Sequence, residues 1–471
     1  MNSRNYAYLS LALVTVSGCS TLPALKNGTS DEAISSALAS SVTQVPEKWS
    51  SKHTNSENVQ IGWIDALEDK TLSKLVREAQ QNNQDLQKAA ANVERSWALA
   101  RQAGVPLLPS VGLSGGADRT FFSNNSQQDI ASFDWGIQAT WEADIWGRIK
   151  AGQKAATSNA LTSEADFLFA QYSIAAAVAD AYFIGLEAKL QAEVARNNLT
   201  TLSETDRIVN IQYNEGLAMA QDVALSASDV AATKASLLLA EGARRDAVRA
   251  LQVLIGRYPD ADLELEEALP EVPQLPPVGL PSELLERRPD IIAAGQALKA
   301  ATYSLDLAKV ARLPSFNLTA SSGSTSNELR NLFDVDQIIS GIAGDIAYLL
   351  FDNGFSKAHI DQAKSEYEIA LIDYAQTALS AFEEVETNLD QFEVVRKRTE
   401  ALSESADQAN RALDVARKRY REGETDLIDV LTIQQRVFSA ESNKVSAEKQ
   451  RIDEWIDLNL ALGGSWKKSP Q

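Results

Sequence analysis

The sequence predicts a mostly α-helical protein with a membrane β-barrel part, assembled from a twofold internal repeat. Three observations carry that expectation. Residues 148–214 and 356–421 are helical stretches too long for a compact domain. Short segments upstream of each alternate apolar and polar positions as barrel strands do. Both kinds of element recur in the same order in the two halves of the 471 residues.

Composition excludes several functions before any element is placed. Acidic side chains number 64 against 44 basic ones, giving a formal net charge of −20. Nucleic acid is thereby disfavoured as a partner, because its phosphates need a clustered basic surface. A single cysteine makes neither an internal disulfide nor a cysteine-based zinc site. Two distant histidines, His53 and His359, leave little for metal or general-base chemistry, so no metal site is expected. Gly112, Gly115 and Gly116 lie in a strand region without the strand-then-helix context of a phosphate loop. No enzyme activity and no cofactor are expected. The mean hydropathy of −0.21 reads as that of a soluble protein, an impression the strands overturn.

The first element, residues 1–18, has the layout of a secretory signal: Arg4, the apolar run Tyr6 to Val16, then Ser17-Gly18. The run is too short to span a bilayer as a helix. Cys19 follows at once, and Val16-Ser17-Gly18-Cys19 resembles a bacterial lipobox, with Cys19 as the lipidated residue and Ser20 directing it to the outer membrane. The plainer alternative is a buried cysteine that happens to follow a signal. Diacylation would make the anchor a stable one. Residues 19–64, rich in Ser, Thr and Asn, lack periodicity and read as irregular.

The repeats occupy residues 65–256 and 283–464, with a tail at 465–471. At an offset of 205, Leu108-Pro109-Ser110 matches Leu313-Pro314-Ser315, and Asp85-Leu86 matches Asp290-Ile291. At an offset of 207, Tyr213-Asn214-Glu215-Gly216 matches Tyr420-Arg421-Glu422-Gly423. Between them, residues 257–282 include Pro270, Pro273, Pro276, Pro277 and Pro281 and form a stiff connector. Each repeat begins with a helix (65–103, 283–312) that runs into Leu-Pro-Ser. Ser282 is the expected cap of the second, with Pro289 marking a kink or a second start.

Next come two strands per repeat, 107–123 with 131–146 and 313–325 with 337–351. One face of the second strand reads Phe133, Trp135, Ile137, Ala139, Trp141, Ala143, Ile145, and the other is polar or acidic. Either hairpin alone also suits a soluble sandwich. The export signal and the lipid favour a membrane barrel, and no uninterrupted run of 18 apolar residues offers a helical span elsewhere. Four strands cannot close a barrel, and open edges are not tolerated in hydrocarbon. Three chains would give about twelve strands and a polar lumen, whereas two would give a barrel too narrow for an open pore.

The long helices, 148–214 and 356–421, would each reach about 100 Å at 1.5 Å per residue. Each is followed by a return helix, 219–255 or 426–462, ended by Gly256 or Gly463-Gly464. Two shorter helices laid in line match the length of one long helix. Val385, Phe392, Thr399, Ala406, Leu413 and Tyr420 recur every seven residues, a coiled-coil seam.

Several stretches together resemble the TolC-type outer-membrane efflux proteins, in the lipoprotein branch that serves resistance-nodulation-division pumps. They are Gly279-Leu280-Pro281-Ser282-Glu283-Leu284-Leu285-Glu286-Arg287-Arg288-Pro289-Asp290-Ile291, Asn82-Asn83-Gln84-Asp85-Leu86, Trp141-Glu142-Ala143-Asp144-Ile145-Trp146-Gly147-Arg148 and Arg419-Tyr420-Arg421-Glu422-Gly423. The resemblance covers roughly residues 60–464. It implies a homotrimer with a 12-stranded outer-membrane β-barrel, four strands per protomer, continued by a long periplasmic α-helical barrel. It also implies a passive exit duct for drugs or other small toxic compounds in a tripartite efflux system, with a periplasmic adaptor and an inner-membrane pump as partners. The stretch from Ser282 to Asp290 is expected to serve structure rather than substrate.

The resemblance places adaptor contact at the helical tips, where Tyr213, Gly216, Tyr420 and Gly423 are the candidates. Plain turn chemistry explains the glycines equally well. Relatives carry an acidic ring just inside the return helix, at a position that is Thr432 here. Asp426 and Asp429, three apart and able to share a helix face, are the alternative gate acids, with Asp222 as the first-repeat equivalent and Ile428 as an apolar constriction. A solvated surface is the competing reading of those acids. Two rival functions share much of the pattern: an exit duct for type I protein secretion, and a lipid-anchored coiled-coil envelope scaffold. The scaffold leaves the strands and the repeat unexplained.

Overall fold

The computed structural model describes residues 48–50, 62–121, 130–273, 275–276 and 278–464. The signal stretch, Cys19 and the tail from residue 465 lie outside the described residues. The chain runs α1 (Trp63–Ala66), α2 (Lys70–Asn82), α3 (Gln84–Gly104), β1 (Ser110–Thr120), β2 (Ile130–Glu142), α4 (Arg148–Asn214) and α5 (Ala220–Leu254). The second half continues with α6 (Pro281–Arg287), α7 (Pro289–Val310), β3 (Ser315–Ser326), β4 (Ile339–Ala347), α8 (Phe355–Arg421) and α9 (Leu427–Ala461). Helices α4 and α8 are both 67 residues long, and α5 and α9 are both 35. Each begins and ends 207 residues after its counterpart, so the repeat is one of structure as well as sequence.

The opening helix of each repeat is broken in two, unexpectedly in the first repeat and, in the second, at the start that Pro289 suggested. In the first, Asn83 breaks the run: its Oδ1 accepts from the N–H groups of Asp85 (2.9 Å) and Leu86 (3.1 Å), capping α3. Its Nδ2 donates to the Leu254 carbonyl at 2.8 Å, tying the break to the end of α5. In the second, Pro289 holds Arg288 at φ −72°, ψ 124°, so α6 stops and α7 restarts with proline in its first turn. Ser282 is not the cap of α6. Leu280 occupies that position, Pro281 opens the helix, and Glu283 accepts from the Leu280 N–H at 3.4 Å.

The first half of α4 packs on α3 and α7, and its second half on α5 and α9. Ser96 bonds Ser163 and Trp97 donates to Glu164 near one end, while Ser226 donates to Asp206 near the other. Short helices therefore lie in line beside each long one. The seven-residue seam of α8 is internal, with Val385, Phe392, Thr399, Ala406 and Leu413 buried. The largest core sits midway along the rods, where Trp63, Leu72, Tyr182, Phe183, Leu251 and Trp455 meet. Burying each such side chain contributes about 1.5–3 kcal/mol. Contrary to the expectation from uninterrupted runs, α4 and α5 are each long and apolar enough to cross a membrane by length and composition. Alanine supplies much of that apolarity in α4, against which neighbouring helices pack; α5 leaves Leu238 and Leu239 exposed.

The four strands form one antiparallel sheet in the order β1-β2-β3-β4. Leu113 lies opposite Ile137, and Ala320 opposite both Ala139 and Ile342, so one face of the sheet is apolar. Gln138, Ser321, Asn317 and Asp345 share the other. β2 ends at Glu142, short of the expected Trp146. Asp144 folds back there to accept from the N–H groups of Ile149 and Lys150 and starts α4 after the left-handed Gly147. Strands β1 and β4 are edges with no further strand partner among the described residues.

Candidate functional site at the helical tips

Each long helix ends in the same turn. The N–H of Gly216 donates to the Tyr213 carbonyl and that of Leu217 to Gln212. In the second repeat Gly423 donates to Tyr420 and Glu424 to Arg419. Gly216 and Gly423 hold φ of 76° and 77°, and a Cβ at either would touch nothing. Backbone conformation, not space, demands glycine there.

The two tip tyrosines do different work. Tyr213 is exposed. Tyr420 turns inward, and its phenol donates to Gln212 Oε1 at 2.6 Å, joining α8 to α4. Burial raises the Tyr420 pKa and the nearby Asp222 carboxylate adds to the rise, while the bond to Gln212 opposes it. Asp222 itself accepts from the Met219 N–H at 3.0 Å, which fixes the start of α5.

Asp429 occupies the matching place in α9 and accepts from Thr425 Oγ1 at 2.6 Å. It lies in a groove of about 640 Å³ between the end of α8 and the start of α9, together with Thr432. Asp426 and the exposed Ile428 do not line this groove, so the structure does not gather the expected gate residues into one surface. Asp222 stands apart on the other hairpin. What the groove does gather is Arg419, which entered the sequence reading only as part of a family motif, with Arg411 and Arg436, which that reading did not single out. Their signal is visible at the 207-residue offset, where Glu204, Gln212 and Asp229 stand in their places.

The stretch from Gly279 to Ile291 forms a joint in the middle of the rods. Arg288, nearly fully buried, donates to both oxygens of Asp290 (3.0 and 2.7 Å), to Glu384 Oε2 (2.6 Å) and to the Ala461 carbonyl (3.1 Å). Burial works against its charge, and the two carboxylates outweigh burial. The motif thus binds α7 to α8 and α9. Among the described residues no group of three His, Cys, Asp or Glu is placed to hold a metal.

An amphipathic four-stranded sheet with open edges, continued by rods of about 100 Å that end in paired tips, defines an envelope channel subunit. The sequence model of the family described as outer membrane efflux protein matches residues 75–257 and 280–464, and the chain belongs to that family. It is 30% identical to the pyoverdine export outer membrane protein OpmQ of Pseudomonas aeruginosa, over 87% of this chain and 88% of that one. It is 27% identical to the toluene efflux pump outer membrane protein TtgF of Pseudomonas putida, over 98% of this chain and 97% of TtgF. The open-state structure of the Neisseria gonorrhoeae MtrE outer membrane channel superimposes with a TM-score of 0.82 at 30% identity, covering 91% of this chain and 97% of MtrE. The protein is an efflux channel of the Gram-negative outer membrane, as the resemblance implied, and its family is one of channels rather than envelope scaffolds.

Proposed function

We propose that three copies close one barrel of about twelve strands and act as the passive exit duct of a tripartite system. A single observation carries this: β1 and β4 are unpaired edges of a four-stranded sheet with an apolar face, and hydrocarbon tolerates neither edge. The exposed Leu238 and Leu239 of α5 would be covered by the next copy in the helical wall. Cargo, small toxic or organic compounds, reaches the duct from an inner-membrane resistance-nodulation-division pump through a periplasmic adaptor. The duct needs no cofactor of its own. OpmQ and TtgF are named for export of pyoverdine and toluene, which supports small-molecule cargo.

Tyr213, Gly216, Tyr420 and Gly423 form the adaptor-facing tips in this reading, and we assign Asp429, Asp426 and Ile428 on one hairpin and Asp222 on the other to the closed end of the pore. Cys19 carries the lipid anchor. Purified trimer in planar bilayers should conduct; a well-folded trimer without conductance would sink the duct. Deleting the protein should raise intracellular retention of dyes and antibiotics. Cys19→Ser should abolish metabolic palmitate labelling, and retained label refutes the anchor.

A further inference from the structure

The groove that holds Asp429 is basic in a protein of formal charge −20. Antiparallel register between α8 and α9 is set by Thr399 Oγ1 donating to the Ala447 carbonyl and by the Arg398–Gln450 bond. That register brings Arg419 level with the start of α9, where it pairs with Glu424 at 3.4 Å, and Arg411 level with Arg436. Neither Arg411 nor Arg436 has an ion pair or side-chain hydrogen bond among the described residues. Two guanidinium groups at one height on one groove repel unless something negative lies between them.

The equivalent groove of the first repeat shows that this charge is not inherited from the fold. Its counterparts are Glu204 and Asp229. Glu204 is answered locally, since Arg207 donates to both of its oxygens at 2.8 and 2.6 Å. The second repeat reverses both signs and leaves its own pair open.

We propose that the α8–α9 groove is an anion subsite of the pore, taking carboxylate- or phosphate-bearing cargo between Arg411 and Arg436 as it enters the duct. The proposal rests on the reading of Asp429 as pore-lining and adds the class of cargo. Guanidinium forks suit such groups because they donate two parallel charge-assisted bonds. Rings of basic side chains act in this way at the mouths of anion pores. Asp429, held by Thr425, and Arg419, paired with Glu424, lie at the near end of the site.

The test uses full-length trimer and citrate. Titration calorimetry should show citrate binding by the wild type, weakened roughly tenfold or more in Arg411→Gln/Arg436→Gln, the loss of one or two charge-assisted bonds. Arg411→Lys/Arg436→Lys, which keeps the charge but not the fork, should restore only part of the binding, and Glu204→Gln/Asp229→Asn should leave it unchanged. Citrate added at the tip side should also reduce current in planar bilayers, and less so in the glutamine variant. Absence of binding by the wild type, or equal binding by the glutamine variant, overturns the subsite. Binding without any effect on a measurable current places the groove off the pore and overturns the cargo role. A folded wild type that binds citrate but never conducts removes the duct reading instead, and the cargo assignment with it.

Discussion

Lys449 on α9 donates from Nζ to Asp180 Oδ1 on α4 at 2.9 Å and so joins the second repeat to the first through a side chain only 12% exposed. The same Nζ lies 2.8 Å from Asp453 Oδ2. Asp180, Asp453 and Asp457 line a cavity of about 320 Å³, and one lysine cannot balance three carboxylates. Burial is the largest cause of a rise in the Asp453 pKa to about 7; Lys449 opposes it, and Asp180 and Asp457 add to it.

The sign of the resulting pH dependence follows from linkage. A carboxyl whose folded pKa lies above its unfolded value near 3.8 favours the folded state when protonated. Its stabilising contribution is present below about pH 4 and is lost as pH rises towards 7. Asp453→Asn, which is neutral throughout, should therefore gain on the wild type across that window, by about 1–2 kcal/mol per protomer above pH 7. Thermal unfolding of the trimer at pH 5 and pH 8 reads this out. A wild type that gains on the variant between pH 5 and pH 8 would contradict the assignment.

Arg288 predicts a larger loss. Replacing it with Met leaves the part-buried Asp290 without its counter-charge, and because Glu384 stands half in water the cost falls at or below the low end of a buried pair, about 2–3 kcal/mol. Arg288→Lys should recover little, because an ammonium cannot reach both oxygens of Asp290 and the Ala461 carbonyl at once. Urea unfolding of the three proteins ranks them. A lysine variant as stable as the wild type would show that charge alone suffices.

Two glycines with the same backbone angle should respond differently to alanine. Gly256 and Gly423 both hold φ of 77°, which disfavours any side chain by about 1–2 kcal/mol. At Gly256 a Cβ would also stand 2.8 Å from the Asn82 carbonyl oxygen, a backbone atom that cannot easily move. At Gly423 it would meet nothing. Gly256→Ala should lower the unfolding midpoint clearly more than Gly423→Ala does, and equal losses would show that the α2–α3 break yields to the intruding methyl.

Periodicity exposed the long elements because their contacts are local and repeated. The seven-residue spacing from Val385 to Leu413 states which side of α8 is buried, and the alternation from Phe133 to Trp141 states which side of β2 is apolar. Pro289 marked the break at Arg288, but the one at Asn83 was less legible. Asn83 caps α3 through its own Oδ1, but its tie to Leu254 lies 171 residues away, and no local pattern records that partner. At the tips, sequence located the turns through Gly216 and Gly423 but read the acids alone. Arg411 and Arg436 lie 25 residues apart, and only the antiparallel packing of α8 on α9 brings them to one height. Comparing the repeats position by position at the 207-residue offset was the available signal.

The sidedness of the sheet is the last consequence open to a direct test. Ile137 and its neighbour Gln138 lie mid-strand on opposite faces of β2; Ile137 pairs across to Leu113, whereas Gln138 pairs to Gly112 and Ser321. If the apolar face meets lipid, Ile137→Arg puts a charge near the bilayer midplane and should destabilise the barrel by about 2–4 kcal/mol. Gln138→Arg puts the same charge one residue along into a water-filled lumen. It should leave the unfolding midpoint in vesicles near that of the wild type while changing single-channel current and ion preference. The two variants share a strand and a side chain and differ only in face. Equal destabilisation by both would mean that the sheet is not a membrane wall with a wet interior, and a conductance change confined to Ile137→Arg would reverse the assignment of the faces.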